Sequence, residues 1–158
     1  MWQYSEIARA AIMVRQFSYS PYSGFMVGAA LLTKTGRIFT GCNIENAAFT
    51  PTNCAERTAF FKAVSEGERE FEAIAVAGWA KDAEPDFVWP CGVCRQIMVE
   101  FCNPNEFKII SVAGKKFDDG SSDGSDKNPN NSFLLETVLH KTMTLEELLP
   151  MSFRPGAF

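Results

Sequence analysis

Hydrophobic positions follow a helical period and then an extended one in the first part of the chain. Apolar side chains recur every three or four positions across 4–14, which predicts an amphipathic helix that ends before a Pro- and Gly-containing turn at 18–24. Two short runs rich in apolar, β-branched and aromatic residues follow at 25–33 and 37–44. The Lys-Thr-Gly between them, at 34–36, predicts a β-hairpin.

The pattern then alternates between helix and strand. A helix is predicted from about residue 54 to 64, with Asn53 as its N-terminal cap, and a buried strand at 73–78. A second helix at 91–101 follows Pro90, and a further strand is predicted at 108–114. Strands that alternate with helices in this way indicate an α/β layered domain.

The last third of the chain is less regular. Residues 117–131 are rich in Asp, Gly, Ser and Asn, which predicts a mobile acidic surface insertion. The apolar residues of 132–143 fit either a strand or a short helix followed by a strand. Thr144 is suited to cap a final helical turn that Pro150 ends.

Composition limits the class of protein. With 158 residues, 46% of them hydrophobic, the chain is expected to form a single domain over 1–158. A net charge of -4 does not favour a nucleic-acid partner, and no apolar run is long enough to predict a membrane span. Five cysteines cannot all pair, and no secretory signal is evident, so a reducing cytoplasm is the expected compartment.

Three cysteines have the spacing of a metal site. Cys54 opens one predicted helix, and Cys91 and Cys94 lie one turn apart at the start of another. Three protein ligands with one open position are typical of catalytic zinc. Glu56, two residues after the first cysteine, is suited to act as general base, and Arg57 to donate hydrogen bonds to the thiolates.

Two other interpretations of these cysteines remain open at this stage. Free cysteines are often small buried core residues, which would leave no metal site. A non-catalytic structural zinc module would need a fourth protein ligand, for which the sequence offers Cys42, Cys102 or His140.

Five blocks of sequence together resemble the cytidine deaminase family, whose zinc deaminase signature the cysteine motifs match. The blocks are PYSGFMVGAAL at 21–31, GCNIENA at 41–47, NCAERTA at 53–59, PCGVCRQ at 90–96 and ELLPMSF at 147–153. The resemblance implies a three-layer α/β/α sandwich around a five-stranded mixed sheet, assembled as a homotetramer. It also implies zinc-dependent hydrolysis of cytidine and deoxycytidine to uridine, deoxyuridine and ammonia, in pyrimidine salvage.

The same resemblance assigns roles to individual residues. Asn43 and Glu45 are expected to hold the ribose 3'-hydroxyl, and Phe25 is expected to pack beside the pyrimidine. Ala55 is expected to contact the base, and Phe153 to reach the pocket of a neighbouring subunit. Each expectation belongs to the family pattern and is carried to this chain through the matching motifs.

Some features depart from the family pattern or fit related activities. Phe49 stands where the family often has tyrosine, which puts any contact through that hydroxyl in doubt. Nucleotide and polynucleotide deaminases usually have histidine at the position of Cys54, so a free nucleoside is favoured. A deaminase of a modified aminonucleoside would share the chemistry and is the alternative enzyme.

Overall fold

The computed structural model describes residues 2–80, 82–116 and 135–155. Its helices and strands follow the order predicted from the hydrophobic pattern. In chain order they are α1 (Trp2–Val14), a 3-10 turn (Arg15–Phe17), β1 (Phe25–Thr33), β2 (Ile38–Cys42), α2 (Ala55–Ser65), β3 (Phe71–Ala80), α3 (Gly92–Phe101), β4 (Lys108–Lys116), β5 (Leu135–Thr144) and α4 (Leu145–Leu148).

The five strands form one mixed sheet in the order β2-β1-β3-β4-β5. Strands β3 and β4 are parallel, whereas the other neighbouring pairs are antiparallel. Helix α3 connects the parallel pair, since parallel neighbours need a crossover. The predicted five-stranded mixed sheet is therefore confirmed.

Alternate side chains of the central strands enter two separate cores. On β1, Ala29 and Leu31 join the core that contains α2 and α3, whereas Ala30 and Leu32 join the core beneath α1. A period of two places successive side chains on opposite faces of a strand, and both faces here are apolar. The sheet lies between α1 on one side and α2 and α3 on the other, which confirms the predicted three-layer α/β/α sandwich.

Two glycines let helices lie directly on the sheet. A Cβ at Gly28 would stand 2.1 Å from the Ala11 carbonyl of α1, and a Cβ at Gly41 would stand 2.5 Å from the Ala55 carbonyl of α2. Larger side chains would push these helices away from the strands. The absence of a side chain at Gly41 therefore allows the first turn of α2 to lie close to the sheet.

A buried arginine joins the 3-10 turn to the ends of β1 and β3. Arg15 donates from Nε to the Met26 carbonyl and from Nη2 to the Trp79 carbonyl, each at 3.0 Å. Its guanidinium lies 3.7 Å from the centre of the Trp79 ring. Because Met26 and Trp79 are paired across the two strands, Arg15 fixes the sheet end that carries Phe25.

One predicted cap is wrong. The N-cap of α2 is Cys54, and the Asn53 amide instead donates to the Thr58 hydroxyl at 3.1 Å. At the other end, Gly67 has φ +97° one residue beyond the C-cap, as a residue that ends a helix often does. The cap moves to Cys54 because the thiol-bearing residue has the extended backbone that the helix entry requires.

The C-terminal region resolves an open alternative. Of the ambiguous segment 132–143, the part from Leu135 onward is strand β5, which pairs with β4 and continues to Thr144. Thr144 forms a capping box with Glu147 at the start of α4, as its position predicted. The predicted acidic insertion at 117–131 lies outside the described residues. Within the described ranges, none of the helices has the length and apolar character needed to traverse a bilayer.

Candidate metal centre and adjoining cavity

The three cysteines meet where two helices begin. Cys54 is the N-cap of α2, Cys91 is the N-cap of α3, and Cys94 lies in the first turn of α3. Their sulfur atoms all lie within 4.8 Å of one another, with Cys54 Sγ and Cys91 Sγ 3.8 Å apart. The positive ends of both helices therefore face the thiols, which favours their ionised form.

These distances fit a tetrahedral zinc ion. Zn–S bonds of about 2.3 Å at a tetrahedral angle place two sulfur atoms about 3.8 Å apart. The Cys54–Cys91 separation equals that value. The three thiols thus have the donor type that zinc prefers, and one pair already has the separation that it requires.

Arg57 lies beside this cluster. Its Nη2 donates to the Thr52 carbonyl at 3.1 Å and to Cys54 Sγ at 3.6 Å. Its Nε is buried and has no hydrogen-bond partner. The positive charge of the guanidinium therefore lies next to Cys54 and favours the ionised form of its thiol.

The thiols have unequal proton affinities before a metal binds. Hydrogen bonding with Cys94, followed by that with Arg57, lowers the pKa of Cys54 to about 5. The same contact with Cys54, together with burial, raises the pKa of Cys94. A bound cation is needed for all three sulfur atoms to be ionised at once.

Glu56 is a buried carboxyl close to Cys54 and Cys94. It is 4% exposed and lies on the first turn of α2. Its pKa is raised to about 7, mainly by burial and in smaller part by the nearby Cys54. A carboxyl in such surroundings exchanges protons readily near neutral pH, as a general acid or base must.

A cavity of about 190 Å³ adjoins the cysteine cluster. Four of the predicted substrate contacts line it, together with Cys54, Glu56 and Cys91; these four are Phe25, Asn43, Glu45 and Ala55. The structure therefore brings together residues from β1, α2 and the loops after β2 and before α3. A small ring has room here, next to two of the three thiols.

Asn43 is largely engaged with the protein itself. Its Oδ1 accepts hydrogen bonds from the Val27 amide at 2.8 Å and the Ser18 hydroxyl at 2.5 Å. Its Nδ2 donates to the Phe25 carbonyl at 2.8 Å, which leaves one amide hydrogen for a ligand. Asn43 therefore holds β1 in place and still has one donor for the cavity.

Glu45 is held at the mouth of the cavity. Its carboxylate accepts from the backbone amides of Tyr22 and Ser23 at 2.9 and 3.2 Å and from the Ser23 hydroxyl. The Ser23 hydroxyl is the foremost cause that lowers the pKa of Glu45, so the group is ionised and pre-oriented. It is suited to accept hydrogen bonds from sugar hydroxyls.

Phe153 lies apart from the other predicted contacts. Its side chain is 62% exposed, and it does not line the cavity of its own chain. Its carbonyl accepts a hydrogen bond from Gln96 Nε2 at 2.8 Å. The structure of one chain thus leaves its predicted role in a neighbouring pocket as a prediction.

Several cavity residues were not predicted as contacts. Val27, Val76, Val88 and Trp89 form much of the apolar wall. Val88 and Trp89 directly precede the Pro-Cys motif, so adjacency to that motif was the available signal. Val76 lies on β3 with nothing local to distinguish it from a core residue.

The metal cluster has no fourth protein ligand within the described part of the chain. Cys42 instead donates to the Phe17 carbonyl at 3.3 Å, and His140, on β5, is paired with Val112 of β4. Cys102 lies at the far end of α3. Of the interpretations left open by the sequence, the three-ligand site with an open position is the one that this geometry fits.

Comparison with known proteins gives a consistent result. Residues 1–109 match the family model described as the cytidine and deoxycytidylate deaminase zinc-binding region. A cytidine deaminase of Sporosarcina psychrophila is 61% identical over 89 residues, which cover 56% of this chain and 62% of that protein. A cytidine deaminase of Halalkalibacterium halodurans is 52% identical over 103 residues, which cover 65% of this chain and 74% of that protein.

A solved structure extends the similarity over nearly the whole chain. The crystal structure of cytidine deaminase from Burkholderia pseudomallei is 36% identical, with a TM-score of 0.71, over 94% of this chain and 98% of that one. The sequence match to the Sporosarcina psychrophila relative spans less than two thirds of its length.

Proposed function

Because this chain belongs to the cytidine and deoxycytidylate deaminase zinc-binding family, we propose that it is a zinc-dependent cytidine deaminase. It hydrolyses cytidine to uridine with release of ammonia, and deoxycytidine to deoxyuridine in the same way. The single observation that carries this proposal is the convergence of three thiols beside a cavity whose wall includes the buried Glu56 carboxyl.

The metal ligands are Cys54, Cys91 and Cys94. Zinc held by them supplies a Lewis acid that lowers the pKa of a bound water, but three thiolates weaken that effect because they add negative charge. A protein base is therefore more necessary here than in a site with neutral ligands. Arg57 offsets part of the thiolate charge through its contact with Cys54.

Glu56 moves the protons in this proposal. Cytosine C4 is a weak electrophile, and ammonia leaves only after the amine has gained a proton. Glu56 takes a proton from the attacking water and delivers it to ring N3, so that C4 becomes more electrophilic as the C–O bond forms. It then takes the hydroxyl proton and passes it to the amine, and the C–N bond breaks.

The cavity supports a neutral nucleoside as substrate. Phe25 and the valines form apolar walls for a pyrimidine, while Asn43 and Glu45 present a donor and an acceptor for ribose. Among the described residues that line the cavity, none is Lys or Arg. A phosphate would have no cation to pair with and would lie near the Glu45 carboxylate, which disfavours deoxycytidylate and polynucleotides.

Assembly and cellular role complete the proposal. The chain acts as a homotetramer in which Phe153 completes a neighbouring cavity, a role that its 62% exposure supports. All five cysteines are free, which supports a reducing cytoplasm. The products, uridine and deoxyuridine, place the reaction in pyrimidine salvage.

A substrate panel tests the proposal. Purified zinc-loaded protein is incubated separately with cytidine, deoxycytidine, deoxycytidylate and a modified aminonucleoside, and ammonia and the deaminated product are measured. Turnover of the first two, with deoxycytidylate at least roughly tenfold slower for want of a cation in the cavity, is the expected result. Turnover of the aminonucleoside alone would shift the assignment to that substrate, and no turnover of any substrate by zinc-loaded tetramer would refute deaminase activity.

A further inference from the structure

Arg95 binds a residue that lies 53 positions further along the chain. Arg95 is half-buried and follows Cys94 on α3. Its Nε donates to the Pro90 carbonyl at 2.6 Å, and its Nη1 donates to the Leu148 carbonyl at 2.7 Å. One guanidinium is thus shared between the loop that enters α3 and the last residue of α4.

At the first of these ends, Arg95 fixes the backbone on both sides of Cys91. Pro90 is buried and precedes the helix. Its carbonyl therefore needs a hydrogen-bond donor other than the backbone amides of the helix. The Arg95 side chain provides the donor, while the Arg95 backbone amide donates to the Cys91 carbonyl at 3.0 Å. The peptide units before and after the Cys91 Cα are therefore both bonded to the same residue, which orients its thiol.

At the second end, Arg95 and its neighbour hold the C-terminal segment, defined as residues 148–155. The Leu148 carbonyl ends a four-residue helix and has no helical donor, so Arg95 satisfies it. Gln96 Nε2 donates to the Phe153 carbonyl, and Arg154 closes the segment back onto Glu146 of α4. Consecutive residues of α3 thus bind both ends of this segment.

From these contacts we propose that Arg95 is a positioning residue that couples the metal centre to the C-terminal segment. The inference rests on the proposed function only in taking Cys91 as a metal ligand. Movement of the segment displaces the guanidinium through Leu148 and releases Pro90, and displacement of Cys91 loosens the segment in return. The segment that carries Phe153 is therefore ordered together with the metal centre.

The side-chain geometry explains why arginine occupies this position. A guanidinium has several donors in a rigid plane and can serve two carbonyls in different directions, whereas a lysine ammonium is a point charge on a flexible stem. Arg95→Lys keeps the charge and most of the apolar stem but loses the two-carbonyl bridge. The Arg95→Lys variant therefore distinguishes the effect of the hydrogen-bonded bridge from the effect of the positive charge.

The test measures metal binding and segment order in Arg95→Lys, without reference to turnover. We expect roughly 10- to 100-fold weaker zinc binding in chelator competition, the range seen when groups that orient metal ligands are removed. We also expect an altered visible spectrum of the cobalt-substituted protein and faster amide exchange in 148–154. Arg69→Lys is the matched control, because Arg69 also donates to two carbonyls, those of Val64 and Glu68, away from the metal site.

Gln96→Ala separates the two ends of the bridge. Gln96 is exposed and contacts Phe153, so its loss should speed amide exchange in the C-terminal segment while zinc affinity and the cobalt spectrum stay unchanged. Equal loss of zinc affinity in Gln96→Ala and Arg95→Lys would overturn the assignment to Arg95. So would a change in only one of the two readouts in Arg95→Lys.

A measurement on the unaltered protein covers the case in which Arg95→Lys does not fold. Amide exchange is compared with and without zinc at the same oligomeric mass. Faster exchange in 148–154 after zinc removal, with α1 unchanged, is the expected result, and equal exchange in the two states would refute the coupling. Because no substrate is present, failure here is distinct from failure of the deaminase assignment.

Discussion

Helix α3 begins and ends on a cysteine, and the two residues differ in chemistry. Cys91 is the N-cap, and its sulfur atom lies close to those of Cys54 and Cys94. Cys102 is the C-cap and belongs to no cysteine cluster among the described residues. Each lines a cavity, and the one at Cys102 also contains Lys34. A cavity with a thiol is therefore not sufficient for a metal centre.

The difference between the two ends follows from the direction of the helix and from the residues that neighbour each cysteine. The N-terminal end of a helix stabilises negative charge, whereas the C-terminal end opposes it. Burial raises the pKa of Cys102, while contacts with Cys94 and Arg57 lower that of Cys54. Thiols that share the N-terminal ends of two helices can hold zinc, and an isolated one at a C-terminal end behaves as a small apolar residue.

The largest expected effect comes from replacing a carboxyl at the cavity beside the metal centre, compared with one at the Cys102 cavity. Glu56→Gln should keep the fold and the zinc but lose at least roughly three orders of magnitude in turnover, because both proton transfers are removed. Turnover is measured as ammonia release at matched zinc content. Glu106→Gln, which alters an exposed carboxyl at the Cys102 cavity, is the control and should leave turnover unchanged. Similar rates in the two variants would remove Glu56 from the mechanism.

The second test compares the two helix-capping cysteines directly. Cys91→Ala should weaken zinc binding by more than roughly 100-fold, beyond the loss caused by groups that merely orient ligands. Cys102→Ala should retain one zinc per chain and lose about 1 kcal/mol of unfolding free energy. Metal content and chemical denaturation provide the measurements. Zinc loss in Cys102→Ala would show that the two ends are not distinct.

The smallest effect concerns how closely α2 approaches the sheet at the metal end. Gly41→Ala should reduce the unfolding free energy by about 2 kcal/mol, because its Cβ would overlap backbone atoms of Ala55 and Ala59 that cannot rotate away. Gly92→Ala, at the start of α3, meets no atom within 4 Å and should be neutral or slightly stabilising. Equal stability of the two variants in denaturant would show that the close approach is unimportant.

Much of the site was predictable because its residues are close together in sequence. Cys54, Glu56 and Arg57 lie within one helical turn, and Cys91 and Cys94 lie within another. A separation of three residues indicates that Cys54 and Arg57 share one helix face, and that Cys91 and Cys94 share another. The structure then places the two groups side by side, with sulfur atoms within 4.8 Å.

Other features had no local signal. The Asn53 cap was wrong because the pattern of an amide before a helix does not reveal that Thr58 will compete for it. Val76 joins the cavity only because β3 lies beside β1 in the sheet. The link from Arg95 to Leu148 joins residues 53 positions apart and depends on where α4 packs.

The sequence by itself determined most of the helices and strands and the set of thiols and carboxyl suited to a catalytic zinc site. These depend on periodicity and spacing over a few residues, where backbone geometry leaves few alternatives. Only the tertiary structure decided which helix ends meet, which strand walls the cavity and how Arg95 joins the metal centre to the C-terminal segment. Such contacts form between distant residues when two cores pack on opposite faces of one sheet, and local backbone preferences carry no information about that pairing.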